Sequence, residues 1–219
     1  MFNFDIATII QRIALIAPGF LLAITVHEYT HGYVAYKLGD PTAKLAGRLT
    51  FNPISHLDPF GTLVLVLTQM IGWAKPVPVD PRYLRNPRKD MLWISLGGPA
   101  ANLVTAAVLA FCLHVIQFLF AARAISPASN FILGPLIYII FFGVKINVIL
   151  AVFNLIPIAP LDGAKILGGM LPRQQAYELE KLEPYGFIIL ILLVFTGAVG
   201  YVIFPPVKFI ESLLLSGLG

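Results

Sequence analysis

The stretch Thr25-Val26-His27-Glu28-Tyr29-Thr30-His31-Gly32 lies toward the end of an apolar run covering residues 6–37. Four residues separate the two histidines, so in a helix both rings stack on one face and can hold one metal ion. Glu28 follows the first histidine and can reach the metal's open position without being a ligand. Two imidazoles, a third ligand from elsewhere, an open position for water and a carboxylate to take that water's proton make up a hydrolytic zinc site. The bland alternative is two buried histidines and a satisfied glutamate. Lipid-like surroundings disfavour it, because an unpaired Glu or His is costly there.

The rest of the chain supplies those surroundings. Of 219 residues, 58% are hydrophobic and 12% charged, about half the charge of a soluble domain. This composition predicts an all-α polytopic membrane protein, one domain over residues 1–219, with about five to six transmembrane or re-entrant helices. The net charge of +4 bears on loop orientation and gives no reason to expect a nucleic-acid partner. Cys112 is alone, which excludes an internal disulfide and a thiolate metal site. Met1 to Asp5 lack a basic n-region, so the N-terminus is expected to be retained.

Taken in order, run 6–37 is too long for a minimal span, about 48 Å if helical. Pro18-Gly19 makes it one kinked helix or two. Residues 41–57 are turn-rich, and Ala46 to Phe51 could form a small β-hairpin near the active site, over 44–56. The apolar segment 59–73 is short, so it either spans or is re-entrant; charge counting leans to re-entrant. Loop 74–90 carries Lys75, Arg82, Arg85, Arg88 and Lys89, which places it in the cytoplasm by the positive-inside rule. Residues 91–121 and 131–156 can span, with an external loop 122–130 between them. Residues 164–184 are polar and expected in the cytoplasm. A last span is expected over 185–204, broken by Pro205-Pro206, with a short interfacial helix after it.

Two histidines do not complete a catalytic zinc site. His114, mid-span, reads as a packed histidine. His56 is a candidate for the edge of the site or else a solvated loop residue. Asp162 follows a span and is framed by Pro157, Pro160 and Gly163. Unwound backbone at membrane depth is tolerated where it lines a cavity. Asp162 is therefore either a metal ligand or an N-cap for the helix after it.

At this point the sequence resembles the site-2 proteases, zinc metalloproteases that cut within the membrane. The resemblance rests on His27-Glu28-x-x-His31, on Asn154 with Leu161-Asp162-Gly163 after a span, and on Gly98-Pro99-Ala100-Ala101-Asn102 between them. Asn52-Pro53, His56-Leu57-Asp58-Pro59 and Trp73-Ala74-Lys75-Pro76-Val77 look like the short bacterial and archaeal members without PDZ or CBS domains. Ala164 stands where many members have a second glycine. The resemblance implies one Zn2+ per chain held by His27, His31 and Asp162 with water as fourth ligand. It implies Glu28 as general base and Asn154 as donor to the oxyanion, and it gives Asn102 a role in shaping the cleft or contacting substrate. The implied partners are transmembrane segments of membrane-protein substrates and the lipid bilayer. The implied location is the cytoplasmic membrane of a prokaryote, with the site opening toward the cytoplasm. A membrane zinc transporter and a non-catalytic scaffold are the competing readings. The candidate ligands concentrate in two motifs instead of lining a route, and intact His27, Glu28, His31 and Asp162 argue against a scaffold.

Overall fold

The computed structural model describes residues 6–68, 72–122 and 129–218. Met1 to Asp5 and most of loop 122–130, with Arg123, lie outside them. The described chain holds eight α-helices: α1 (Ile6–Lys37), α2 (Thr42–Leu45), α3 (Pro59–Thr68), α4 (Pro87–Ala121), α5 (Asn130–Asn154), α6 (Asp162–Met170), α7 (Arg173–Phe195) and α8 (Ala198–Leu214). Among the described residues, three helices are long and apolar enough to cross a membrane: Ile10–Lys37, Pro87–Ala121 and Leu133–Asn154. Helices α7 and α8 meet at a bend of 78° and together make a possible fourth span. The protein is an all-α membrane protein.

Run 6–37 is one helix, with Pro18 inside it. The α1, α4 and α5 helices pack against one another and form the frame of the site. Lipid tails are as apolar as leucine, so close packing and interhelical hydrogen bonds hold such helices together. Small residues permit this approach. A Cβ on Gly19 would lie 2.8 Å from the Gly143 Cα, so α1 and α5 touch backbone to backbone. Ala106, Ala110, Val144 and Val148 continue the core from α4 and α5 to Leu190 of α7 and to Ile203 and Val207 of α8. Lys145, a cation within α5, lies 3.6 Å from Glu211 of α8, the partner that a charge at this depth requires. His114 is a packed residue, as expected: its Nε2 donates to the Leu214 carbonyl at 3.0 Å.

The expected β-hairpin is absent. Residues 44–56 instead contain the end of α2, Gly47 at φ +66°, bends, and a 3-10 turn over Pro53–His56. Local chemistry explains the difference. The Asp40 carboxylate accepts from Thr42 N at 2.9 Å and so starts a helix. Asn52 Oδ1 accepts from Ile54 N at 3.1 Å, which makes a turn. The strand-like pairing among the described residues is one antiparallel bridge, Leu57 to Ala74.

That bridge also bears on segment 59–73. Helix α3 has 10 described residues, about 15 Å, which is short of a span. A Cβ on Gly61 would lie 2.2 Å from the Trp73 carbonyl oxygen. The chain leaves at Leu57 and pairs back beside it at Ala74, with Trp73 against Gly61; residues 69–71 lie outside the described ones.

The last helices break elsewhere than expected. Gly197, at φ +76°, ends α7, whereas Pro205 and Pro206 sit inside α8. The left-handed conformation is what glycine tolerates and other residues resist. The two prolines withhold donors from one turn, but Ile203 and Val207 are buried in the core on either side, and packing holds the helix through them.

Candidate metal centre

Helix α1 presents Gly19, Ala23, His27 and His31 at four-residue spacing, so one face carries a small-residue half and a histidine half. Helix α4 crosses at Gly98. A Cβ there would lie 2.5 Å from His31 Nε2 and 2.6 Å from His27 Nε2, so glycine's missing side chain is the space the two rings occupy. Asp162 arrives as the first residue of α6 after a curled connection from α5. Gly163 packs that turn against the end of α5: a Cβ on it would lie 2.3 Å from the Leu155 and Ile156 carbonyl oxygens. Ala164 N donates to the Leu161 carbonyl at 3.2 Å in an ordinary first turn, so alanine is accommodated at that position.

These elements bring His27, His31 and Asp162 together although 131 residues separate His31 from Asp162. His27 Nε2 and His31 Nε2 are 2.9 Å apart, and each lies 3.1 Å from Asp162 Oδ2. A tetrahedral zinc site with about 2.0–2.1 Å bonds has ligand atoms about 3.3 Å apart, a few tenths of an ångström more. All three side chains are buried.

The far sides of the rings show what the near sides can be. His31 Nδ1 is 2.7 Å from the Ile94 carbonyl oxygen, which only accepts, so Nδ1 carries the proton. His27 Nδ1 is 2.7 Å from Asn102 Oδ1. Asn102 Nδ2 donates to the Ala23 carbonyl at 2.9 Å, which fixes the amide with its oxygen toward His27. Both neutral rings therefore turn a bare Nε2 toward a carboxylate oxygen. Three acceptors converge without a hydrogen between them, and a cation between them resolves the repulsion. Without one, a ring must take up a proton. Burial then pushes the Asp162 carboxyl up, but hydrogen bonds from His27 and His31 outweigh it and hold the carboxyl below the usual carboxylate range. The residues present fit a zinc ion.

A cavity of about 140 Å³ opens on this cluster, lined by Glu28, Ser95, Asn154 and Lys165 among others. Glu28 Oε2 accepts from Val77 N at 2.8 Å, which ties the extended chain of loop 74–90 across the site. Asn154 lines the cavity, with its Nδ2 donating to the Leu150 carbonyl at 2.9 Å. A larger apolar cavity, about 660 Å³, adjoins the first and shares Met91, Pro160 and Lys165 with it.

Two expected cleft residues lie elsewhere. Asn102 is fully buried behind His27 and is not among the cavity's lining residues. His56 is fully buried too; its Nε2 pairs with the Thr50 carbonyl at 2.8 Å and its own carbonyl accepts from Lys75 N. It holds the loop beside the site together. The sequence reading missed Lys165, whose spacing of three from Asp162 on a helix places both on one side. It also gave no role to the Ile94 carbonyl and the Val77 amide, because backbone partners leave no trace in side-chain identity.

Comparison with known proteins bears on this geometry. The family model described as peptidase family M50 matches residues 15–196. The chain is 40% identical over 185 residues to "Putative zinc metalloprotease YwhC" of Bacillus subtilis (strain 168), covering 84% of this chain and 82% of that protein. It is 29% identical over 187 residues to "Putative zinc metalloprotease Rip2" of Mycolicibacterium smegmatis, covering 84% of this chain and 68% of that one. No solved structure matches. With the match spanning α1 through α7 and both motifs of the metal cluster, the chain belongs to peptidase family M50, the site-2 protease family, and is a zinc-dependent metalloprotease.

Proposed function

We propose that this chain hydrolyses peptide bonds in or near transmembrane segments of membrane-protein substrates. His27, His31 and Asp162 hold one Zn2+, and residues 1–219 act as a single intramembrane protease domain. The convergence of three proton-free acceptor atoms on one point supports this reading best. Zinc at that point supplies a Lewis acid and lowers the pKa of water. Glu28 accepts a proton from water as the oxygen attacks the scissile carbonyl carbon. It returns a proton to the amide nitrogen as the C–N bond breaks. Val77 N holds one oxygen of that carboxylate in place. Asn154 donates to the developing oxyanion through the second N–H of its Nδ2, while the first is held by the Leu150 carbonyl.

Peptide hydrolysis consumes water, which the bilayer core lacks. The 140 Å³ cavity, walled by His27, Glu28, Asn154, Asp162 and Lys165, has room for a few waters among polar partners. Pro76, Val77 and Val79 of the basic loop 74–90 form part of its wall, which supports an opening toward the cytoplasm. The bacterial relatives support a prokaryotic cytoplasmic membrane as its location.

The test compares wild type with Glu28→Gln in detergent, using a panel of single-span substrates and an assay of bound zinc. We expect both to hold about one zinc per chain, and Glu28→Gln to cleave at least about 100-fold more slowly. Equal cleavage removes Glu28 from the mechanism, and a zinc-free wild type removes the metal assignment.

A further inference from the structure

A second asparagine stands behind the first. Asn102 Nδ2, besides its bond to the Ala23 carbonyl, donates to Asn147 Oδ1 at 2.9 Å. Asn147 Nδ2 in turn donates to the Gly143 carbonyl of its own helix at 2.8 Å. Both side chains are fully buried. The series runs from the Gly143 carbonyl through Asn147 and Asn102 to His27 Nδ1, across α5, α4 and α1. We propose that Asn147 is a positioning residue for the metal centre: through Asn102 it holds His27 in the tautomer that leaves Nε2 bare. The proposal rests on the reading that His27 is a zinc ligand.

Amide orientation decides which nitrogen of His27 carries the proton. An asparagine side chain fits its space equally well when rotated by half a turn, with oxygen and nitrogen exchanged. Rotated, Asn102 would offer an N–H to His27 Nδ1, force the proton to Nε2, and block that atom as a ligand. Two contacts oppose this. The rotated oxygen would face the Ala23 carbonyl oxygen and Asn147 Oδ1, two acceptors that cannot donate back in those positions. Asn147 is fixed the same way, because its rotated oxygen would face the Gly143 carbonyl. Each amide thus sets the next, beginning from a backbone carbonyl that cannot rotate.

Helix spacing delivers both asparagines. Gly98 precedes Asn102 by four residues on α4, and Gly143 precedes Asn147 by four on α5. In each helix the glycine gives close approach to α1, and the asparagine one turn on shares that face. A membrane interior makes the arrangement stringent, since neither amide can exchange a lost partner for water.

The experiment uses the whole chain purified in detergent, stripped with a chelator, and titrated with Zn2+ against a chromophoric competitor. Wild type and His27→Ala come first; if wild type binds no zinc there, the reading of the site itself fails. With that established, Asn147→Leu, which keeps the branched shape, is expected to weaken zinc binding about 10- to 100-fold. Asn102→Asp has an acceptor oxygen in either orientation, so its rotation no longer matters. In the Asn102→Asp background, where an oxygen already faces Asn147 Oδ1, adding Asn147→Leu is expected to cause no further loss of zinc affinity. An equal loss in both backgrounds, or no loss in either, overturns the proposal. Nitrogen-15 NMR of labelled histidine in metal-free wild type needs no substitution: a proton on His27 Nδ1 is expected whether or not Nε2 also carries one, and a bare Nδ1 overturns the proposal.

Discussion

At the scale of single residues, the cluster is decided as much by an absent side chain as by His27, His31 and Asp162 themselves. Gly98→Ala places a methyl 2.5–2.6 Å from both ring nitrogens, closer than any real contact, so a ring must move. Gly97→Ala places its methyl 3.3 Å from Thr30 Cγ2 and Val34 Cγ2, where small shifts suffice. We expect Gly98→Ala to lose about tenfold or more in zinc affinity, in the range of losses from disturbing a ligand's support, with Gly97→Ala close to wild type. Equilibrium zinc titration of the two checks this. The sequence made His27 and His31 legible because both lie on one helical turn. Local chemistry left Asp162 evenly divided between ligand and cap, and the family resemblance assigned it to the metal, because the ring it meets lies 131 positions away. In the structure Asp162 is the first residue of α6, and its carboxylate turns to the histidines.

At the scale of elements, the contact of α1 with α5 depends on Gly19 meeting Gly143. A methyl on Gly19 would sit 2.8 Å from the Gly143 Cα, and backbone cannot swing aside as a side chain can. Gly19→Ala is expected to cost about 1–3 kcal/mol, the usual penalty of overpacking. Gly134→Ala, also within α5 but with nothing within 4 Å of its Cβ, is expected to be neutral or stabilising by up to about 1 kcal/mol. Thermal unfolding in detergent distinguishes them. Elements with strong local determinants were legible: long apolar runs gave α1, α4 and α5. Elements governed by one backbone dihedral or one capping bond were not. The turn at Gly197 outranked Pro205-Pro206 as the break, and Asp40 and Asn52 directed 44–56 into helix and turn where a hairpin was expected.

At the scale of the molecule, the orientation proposed for the site predicts labelling from one side. In a Cys112→Ala background, Arg85→Cys and Arg173→Cys, both exposed, are expected to react with a membrane-impermeant maleimide from the cytoplasmic face. Reaction of either from outside contradicts the proposed opening. The same build constrains substrates. A helical peptide bond has its carbonyl hydrogen-bonded and shielded, so under the proposed activity a substrate span must unwind to reach Glu28 and the His27, His31 and Asp162 cluster. Spans containing Gly or Pro unwind at lower cost. A matched pair of substrates tests this: the Gly/Pro-containing span is expected to be cut at least about tenfold faster than a poly-Leu one, about 1.4 kcal/mol of unwinding. Equal rates remove unwinding as the basis of selection.

By itself the sequence determined that the chain is helical and lives in a membrane, and that one turn of α1 carries two histidines and a carboxylate. Those follow from composition and from spacing within one helix, where the geometry is fixed by the 3.6-residue repeat. Only the tertiary structure decided which distant groups meet that turn: Asp162 on the Nε2 side of the rings, the Ile94 carbonyl and Asn102 on the far side, Asn147 behind them, and Val77 N on Glu28. Contacts of this kind depend on how closely helices approach. That approach is set by small residues at the crossings, Gly19, Gly98 and Gly143, whose part is invisible until the helices are placed together.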